Sequence, residues 1–472
     1  MEEGDKILAY WNFHYHYIST IIYKVRNQKI ATKLWGTIDG NTWEFMYFFE
    51  RPVQFEEPKN VSDTGNYLQS KYMGFAKIKT EKVEKILNDF GSLENLFQGY
   101  VASENNDSYA PIQKKSQMNI LTAIKTKPFI LLAGISGTGK SRLVRTLAYR
   151  TCPEGELRSD ENKPGNFELI AVRPNWHDST ELLGYVSRIN EPEYIITPFL
   201  RFLVKAWQYP NVPFFLCLDE MNLAPVEQYF AEYLSIIETR QVKNNQVQTD
   251  FILSKAGFQN DDLYDKFLKE LGAEGNQSFK DGIGIPFNLV VMGTVNMDET
   301  THSFSRKVLD RAMTIEMNQV NLDEGLDPEK EDWKYPLPKD VVSADRVIGN
   351  FTAGAQVAGK FNEKEAVLTY LKKLNEILEG TPFKIAYRVR DEFLIYCYYA
   401  LSSEKNEALL NAAIDEMTCM KILSRIEGDE NKTRDVLSNL EKIFSGKFPA
   451  SHSKVKEMLA RLDGSGYTSF WA

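Results

Sequence analysis

Eight consecutive residues, Gly134-Ile135-Ser136-Gly137-Thr138-Gly139-Lys140-Ser141, hold the most specific chemistry in this chain. They satisfy the spacing G-x-x-x-x-G-K-[ST] with an extra glycine inside it. Glycines at these positions let successive backbone N–H groups turn inward around phosphate oxygens. The lysine adds a point charge that reaches β and γ oxygens, and the serine hydroxyl is a hard oxygen donor suited to Mg²⁺. Before the loop, the apolar run Pro128–Ala133 reads as a buried strand. After it, Arg142-Leu-Val-Arg-Thr-Leu-Ala148 reads as a helix whose positive N-terminus would face the phosphates. A chance glycine-rich turn would lack that strand-before, helix-after context. The expected ligand is a nucleoside triphosphate, GTP or ATP, with Mg²⁺.

Two further strand-like runs end in groups that could act on such a ligand. Phe214-Phe-Leu-Cys-Leu-Asp-Glu220 is apolar until two adjacent carboxylates, a Walker B pattern. Neighbouring strand residues point to opposite sides, so Asp219 is expected in the Mg²⁺ shell and Glu220 on the attacking water. The run Phe287–Asn296 ends in an amide, and Asn296 would contact the γ-phosphate and that water as a sensor. Downstream, Ser303–Arg311 reads as a helix. An arginine at its end, Arg311 first and Arg306 second, could reach a neighbouring subunit's γ-phosphate.

These groups need a scaffold, and the chain is long enough for one. Its 472 residues suit roughly three domains, and 43% hydrophobic content supports well-packed cores. Apolar runs at 167–172, 214–218 and 287–293 alternate with helical patterns, as in a parallel sheet covered by helices. The expected division is a small β-rich domain over 1–101, a polar linker over 102–114, an α/β nucleotide-binding core over 115–325 and a helical lid subdomain over 326–472. Amphipathic stretches such as Glu365–Leu374 mark the last part, after the Pro- and charge-rich stretch Glu329–Asp340.

Composition narrows the setting. Cys152, Cys217, Cys397 and Cys419 stand apart without C-x-x-C spacing, which argues against a disulfide framework or zinc site and for a reducing, cytoplasmic home. No apolar run approaches the ~20 residues a bilayer span needs, so no membrane partner is expected. A net charge of -9 is at odds with a uniformly basic surface for nucleic acid, yet leaves room for a local groove or a positive channel inside an oligomer. His14 and His16 alternate on a strand-like run without accompanying Cys or carboxylates, which favours solvated or packed histidines over a metal site. Neither H-E-x-x-H nor a P-D…E-x-K nuclease pattern occurs, so cutting of DNA would require another chain.

In this order, phosphate loop, Asp-Glu pair, strand-end Asn and late Arg resemble the AAA+ superfamily of ring-forming NTPases. More narrowly, three stretches are similar to the branch containing MoxR and McrB. They are Val172-Arg-Pro-Asn-Trp-His-Asp-Ser-Thr-Glu-Leu-Leu-Gly184, Asp219-Glu-Met-Asn-Leu-Ala-Pro-Val-Glu-Gln-Tyr-Phe230 and Gly293-Thr-Val-Asn-Met-Asp-Glu-Thr-Thr-His302. The resemblance implies an AAA+ core with a helical lid, a hexameric ring, Asn222 close to the hydrolytic site, and Arg388 or Arg390 of Tyr387–Arg390 as a lid arginine that senses nucleotide. McrB proteins are GTP-driven motors of modification-dependent restriction, acting with a McrC endonuclease subunit. They carry M-N-x-x-D-R at the sensor strand, whereas this chain keeps the Asn but has Met297-Asp-Glu-Thr300 after it, which leaves GTP and ATP both open.

The N-terminal region, through Gly4–Tyr10, Lys33–Gly36, Trp43–Phe49 and Tyr72–Ala76, is similar to PUA-like EVE domains. That resemblance implies a module that cages a flipped, modified DNA base between aromatic rings, with Trp11, Trp35, Trp43 and Tyr72 as candidates. Aromatic residues in a small β domain are more often core, and a protein-docking module is the competing reading.

Overall fold

The structure, a computed structural model, describes residues 6–11, 14–26, 28, 32–33, 45–49, 53–60, 78, 82–83, 85–86, 120–153, 155–158, 164–189, 191–243, 246–296, 302–318, 342–401 and 406–471. The chain forms two compact units, Met1–Ser108 and Tyr109–Ala472.

In the first unit, β1 (Lys6–Trp11), β2 (His14–Arg26), β3 (Phe45–Phe49) and β4 (Val53–Asn60) make one antiparallel sheet. The aromatic and β-branched composition of β2 favours extended backbone. Its 13 residues serve three partners, with β1 and β4 on its first half and β3 on its second. Ile18 and Ile21 on this strand are buried. Trp11 lies on β1, whereas Trp35, Trp43, Tyr72 and the expected linker over 102–114 fall outside the described residues.

The second unit is built on β5 (Phe129–Gly134), α1 (Lys140–Thr151), β6 (Phe167–Ala171), α2 (Pro198–Gln208), β7 (Phe214–Asp219), α3 (Asp261–Glu270), β8 (Leu289–Asn296) and β9 (Met313–Glu316). The five strands are parallel in the order β9-β5-β8-β7-β6. Strands covered on both faces read as unbroken apolar runs, and every residue of Phe-Ile-Leu-Leu-Ala-Gly in β5 is buried. This is a parallel α/β core with helices on both faces. Strand β8 lies between β5 and β7, so the C-terminal ends of the phosphate-loop strand, the sensor strand and the Walker B strand are adjacent, each about 4.8 Å from the next.

A helical region, called the lid below only as a label, comprises α4 (Lys364–Ile377), α5 (Tyr387–Ala400), α6 (Glu407–Lys421), α7 (Glu430–Phe444) and α8 (Pro449–Ser465). Its apolar side chains form one cluster with Ile130, Leu132, Phe215 and Met292 from one face of the sheet. A second cluster, including Phe199, Leu203 and Tyr233, covers the other face. Two local readings change. Only Arg306–Leu309 is helical within 303–311, and the edge strand β9, four residues with a mixed pattern, carries too little periodicity to be read from sequence. No helix among the described residues is long and apolar enough to cross a membrane.

Candidate active site

The phosphate loop owes its form to its glycines. Gly137 and Gly139 have φ of 82° and 80°, a left-handed conformation that costs other L-residues about 1–2 kcal/mol. A Cβ at either would meet nothing within 4 Å, so backbone conformation rather than crowding selects glycine there. At Gly134 the reason is the opposite, because a Cβ would stand 2.5 Å from the carbonyl oxygen of Met317. Ser136 and Ile135 are exposed on the loop, and Thr138 Oγ1 braces it by donating to Ile135 O at 3.1 Å. Lys140 opens α1 just ahead of Ser141 and Arg142; it is buried, and its Nζ donates to Gly134 O at 3.0 Å and Ile135 O at 2.8 Å.

Asp219 ends β7 beside this loop. One of its oxygens, Oδ1, accepts from Ser141 Oγ at 2.6 Å and from Thr294 Oγ1 at 2.8 Å. Thr294 is buried on β8 and in turn accepts the backbone N–H of Glu220 at 2.9 Å. Among the described residues Glu220 is the one non-glycine with positive φ, 52°. Such a residue costs of order 1–3 kcal/mol and persists where its surroundings fix it. Asn296 Nδ2 donates to Glu220 Oε1 at 3.4 Å, so carboxylate and sensor amide share one spot above the strand ends. Gly293 leaves the space that the Met221 side chain fills beneath this turn. Tyr229, packed edge-on against buried Trp176, donates to Met221 O at 2.8 Å. Trp176 of the 172–184 stretch therefore acts as a buttress. Asn222 is buried in the same turn, and its carbonyl accepts from His302 N at 3.0 Å.

This donor set fits a magnesium nucleotide. The Ser141 hydroxyl and Asp219 carboxylate are the hard oxygen donors that would hold Mg²⁺, and Gly137–Ser141 would hold the phosphates. Among the described residues no group of three His, Cys, Asp or Glu gathers as an all-protein metal cage. Mg²⁺ commonly takes one or two protein oxygens and completes its shell from phosphates and water. A bound ion there would neutralise phosphate charge.

The arginines stand elsewhere. Arg311 precedes β9, and its Nε lies 3.9 Å from Glu238 Oε1, buried and without a hydrogen-bond partner among the described residues. Arg388, at the start of α5, is ion-paired to the other oxygen of Glu238. Lys127, just before β5, reaches Glu238 at 3.3 Å. All three therefore gather at the N-terminal end of the sheet. Strand residues rise about 3.3 Å each, so roughly 20 Å separates this end from the phosphate loop, farther than a side chain reaches. Arg388 thus lies beside Arg311 and away from its own chain's phosphate loop. Arg306 stacks on Phe383 at 5.1 Å and donates to Pro382 O at 3.4 Å, while Arg390 is held by Asp391 at 2.6–2.8 Å and lies over Tyr387.

Several supporting residues gave no signal in the sequence. Besides Thr294 and Glu238, a chain of contacts leads from the lid to the phosphate loop. Lys454 Nζ on α8 donates to Glu316 Oε1 at 2.7 Å, Asn318 Nδ2 donates to the same oxygen at 2.6 Å, and Ile135 N donates to Asn318 Oδ1 at 3.2 Å. Single polar residues at such spacings match no motif and become visible only when the strands are aligned.

A family described as a domain of unknown function (DUF8727) matches residues 344–467, the helical part of the second unit. No curated protein matches the chain. Among solved structures, the chain is similar to a candidate ATPase of Cytophaga hutchinsonii at 16% identity and a TM-score of 0.37, the match covering 66% of this chain and 81% of that one.

Proposed function

We propose that the chain is an AAA+ nucleoside triphosphatase that hydrolyses GTP or ATP at the interfaces of a homo-oligomeric, hexameric ring. The observation that carries this reading is the contact chain Ser141–Asp219–Thr294–Glu220 with Asn296 on the Glu220 carboxylate. Lys140 and the loop amides bind and orient the triphosphate, Asp219 and Ser141 hold Mg²⁺, and Glu220 takes the proton of a water that Asn296 helps to orient. Arg311, remote from its own loop and with 24% of its side-chain surface exposed, is suited to a neighbour's γ-phosphate.

The work done by that hydrolysis is, in our reading, that of a McrBC-like restriction motor in antiviral defence. The first unit would select DNA carrying a modified base, and the ring would act with a separate McrC-like endonuclease subunit. Support comes from the stretches 172–184, 219–230 and 293–302. The test is steady-state hydrolysis of GTP and ATP side by side, with methylated, unmodified and no duplex DNA. GTP preference with an effect of DNA modification is the expected result. ATP turnover indifferent to any DNA would overturn the restriction reading in favour of a MoxR-like chaperone that remodels a protein partner, and no turnover of either nucleotide would overturn the hydrolase itself.

A further inference from the structure

The turn that carries Arg311 is gripped from the lid. Lys421, the last residue of α6, has no exposed side-chain surface. Its Nζ donates to Asp310 O at 2.9 Å, Ala312 O at 2.8 Å and Leu309 O at 3.4 Å, the carbonyls on both sides of Arg311. Leu309 ends a helix of only four residues, and the backbone N–H groups of Arg311 and Ala312 turn back to Val308 O rather than to Leu309 or Asp310. Arg425, also buried, is ion-paired to the same turn, with Nε 3.0 Å from Asp310 Oδ1 and no hydrogen bond between them.

The buried ammonium is neutralised by Glu392 on α5, whose two oxygens divide between Lys421 at 2.9 Å and Lys127 at 2.7 Å. Lys127 stands just before β5, so this carboxylate joins the lid, the start of the phosphate-loop strand and the Arg311 turn. Burial alone would push Glu392 up, but the two ammonium groups overcome it and hold the carboxyl below its ordinary value. An ion pair sealed from water is weak evidence for stability, because apolar side chains of similar volume serve the core as well. What an apolar residue cannot do is fix three carbonyls in one geometry.

We propose that Lys421 is a positioning residue for Arg311: by capping the carbonyls on either side, it fixes the turn that presents the guanidinium to a neighbouring subunit's triphosphate. The inference rests on the reading of Arg311 as a finger acting in trans. It gives the domain matched at 344–467 a role, since Glu392, Lys421 and Arg425 all lie within it.

The test is subunit mixing on the full chain. Lys421→Met should leave nucleotide affinity unchanged and lower hydrolysis at least tenfold, toward the rate of Arg311→Ala. Mixed with Lys140→Ala subunits, which lack a working phosphate loop but keep the finger turn, it should regain hydrolysis, because about one interface in four then joins an intact loop to an intact finger. Arg311→Ala mixed in the same way is the reference. If that reference is not rescued, the trans reading itself fails. If the reference is rescued while Lys421→Met is not, or if Lys421→Met alone hydrolyses at the wild-type rate, the positioning role is wrong. Should Lys421→Met fold poorly, the double variant Lys421→Met with Glu392→Gln removes the opposing charge as well and is read by the same mixing.

Discussion

The two ends of the central sheet solve different problems with charged side chains. At the C-terminal end, Ser141, Asp219, Thr294, Glu220 and Asn296 bond to one another, and each comes from a strand end or the loop beside it. At the N-terminal end, Arg311 and Arg388 meet on Glu238, and the turn holding Arg311 is fixed by Lys421 and Arg425 from the lid. The first end is assembled within one chain. At the second, the side chains of Arg311 and Arg388 stay partly exposed, 24% and 38%. On the function proposed above, such a site would be divided, one end binding nucleotide and the other completing the constellation of a second subunit.

That contrast can be broken by substitution. The largest effect is expected at Glu220→Gln, which should keep nucleotide binding and lower the single-turnover rate by about 10²–10⁴, the range for loss of a general base. Retained wild-type hydrolysis would remove Glu220 from the mechanism. Arg311→Ala should cost about 10³ in turnover with binding intact. The deficit should vanish from comparison at protein concentrations too low for assembly, where wild type is equally slow, and a deficit that persists in the monomer would place Arg311 in its own chain's site. Glu392→Gln strands the buried ammonium of Lys421 and should destabilise the fold by about 3–5 kcal/mol at neutral pH. Because the carboxyl is held below its ordinary value, its stabilisation is present above the usual glutamate pKa and is lost as pH falls through the lowered folded value. Thermal midpoints of wild type and variant should therefore converge in acid, and a constant gap would contradict the ionised pair. Thr294→Val should have the smallest effect. It removes one hydroxyl between Asp219 and the Glu220 N–H, for about 1–3 kcal/mol in activation free energy, read as kcat at saturating nucleotide.

Legibility followed the reach of each interaction along the chain. The loop at Gly134–Ser141 could be read because its form is set by adjacent residues, glycine at 137 and 139 being demanded by local φ. Asp219 and Asn296 could be read because each closes an apolar strand, and Glu220 because it directly follows one. Glu238, Glu392 and Lys421 could not: Lys127 and Glu392 are 265 positions apart, and neither sits in a pattern. The short helix at 306–309 was overestimated for the same reason, since the turn after it is shaped by lid groups more than a hundred residues downstream.

By itself, then, the sequence determined the glycine loop, the carboxylate pair, the strand-end Asn296 and the parallel strands beneath them, because local spacing and side-chain periodicity dictate those features. Tertiary structure alone decided the strand order that brings the three strand ends together, the placement of Arg311 and Arg388 far from their own loop, and the buried Lys421–Glu392–Lys127 bridge. The physical reason is that burial makes an unpaired charge costly, so the partners of buried ions are set by which surfaces close on one another.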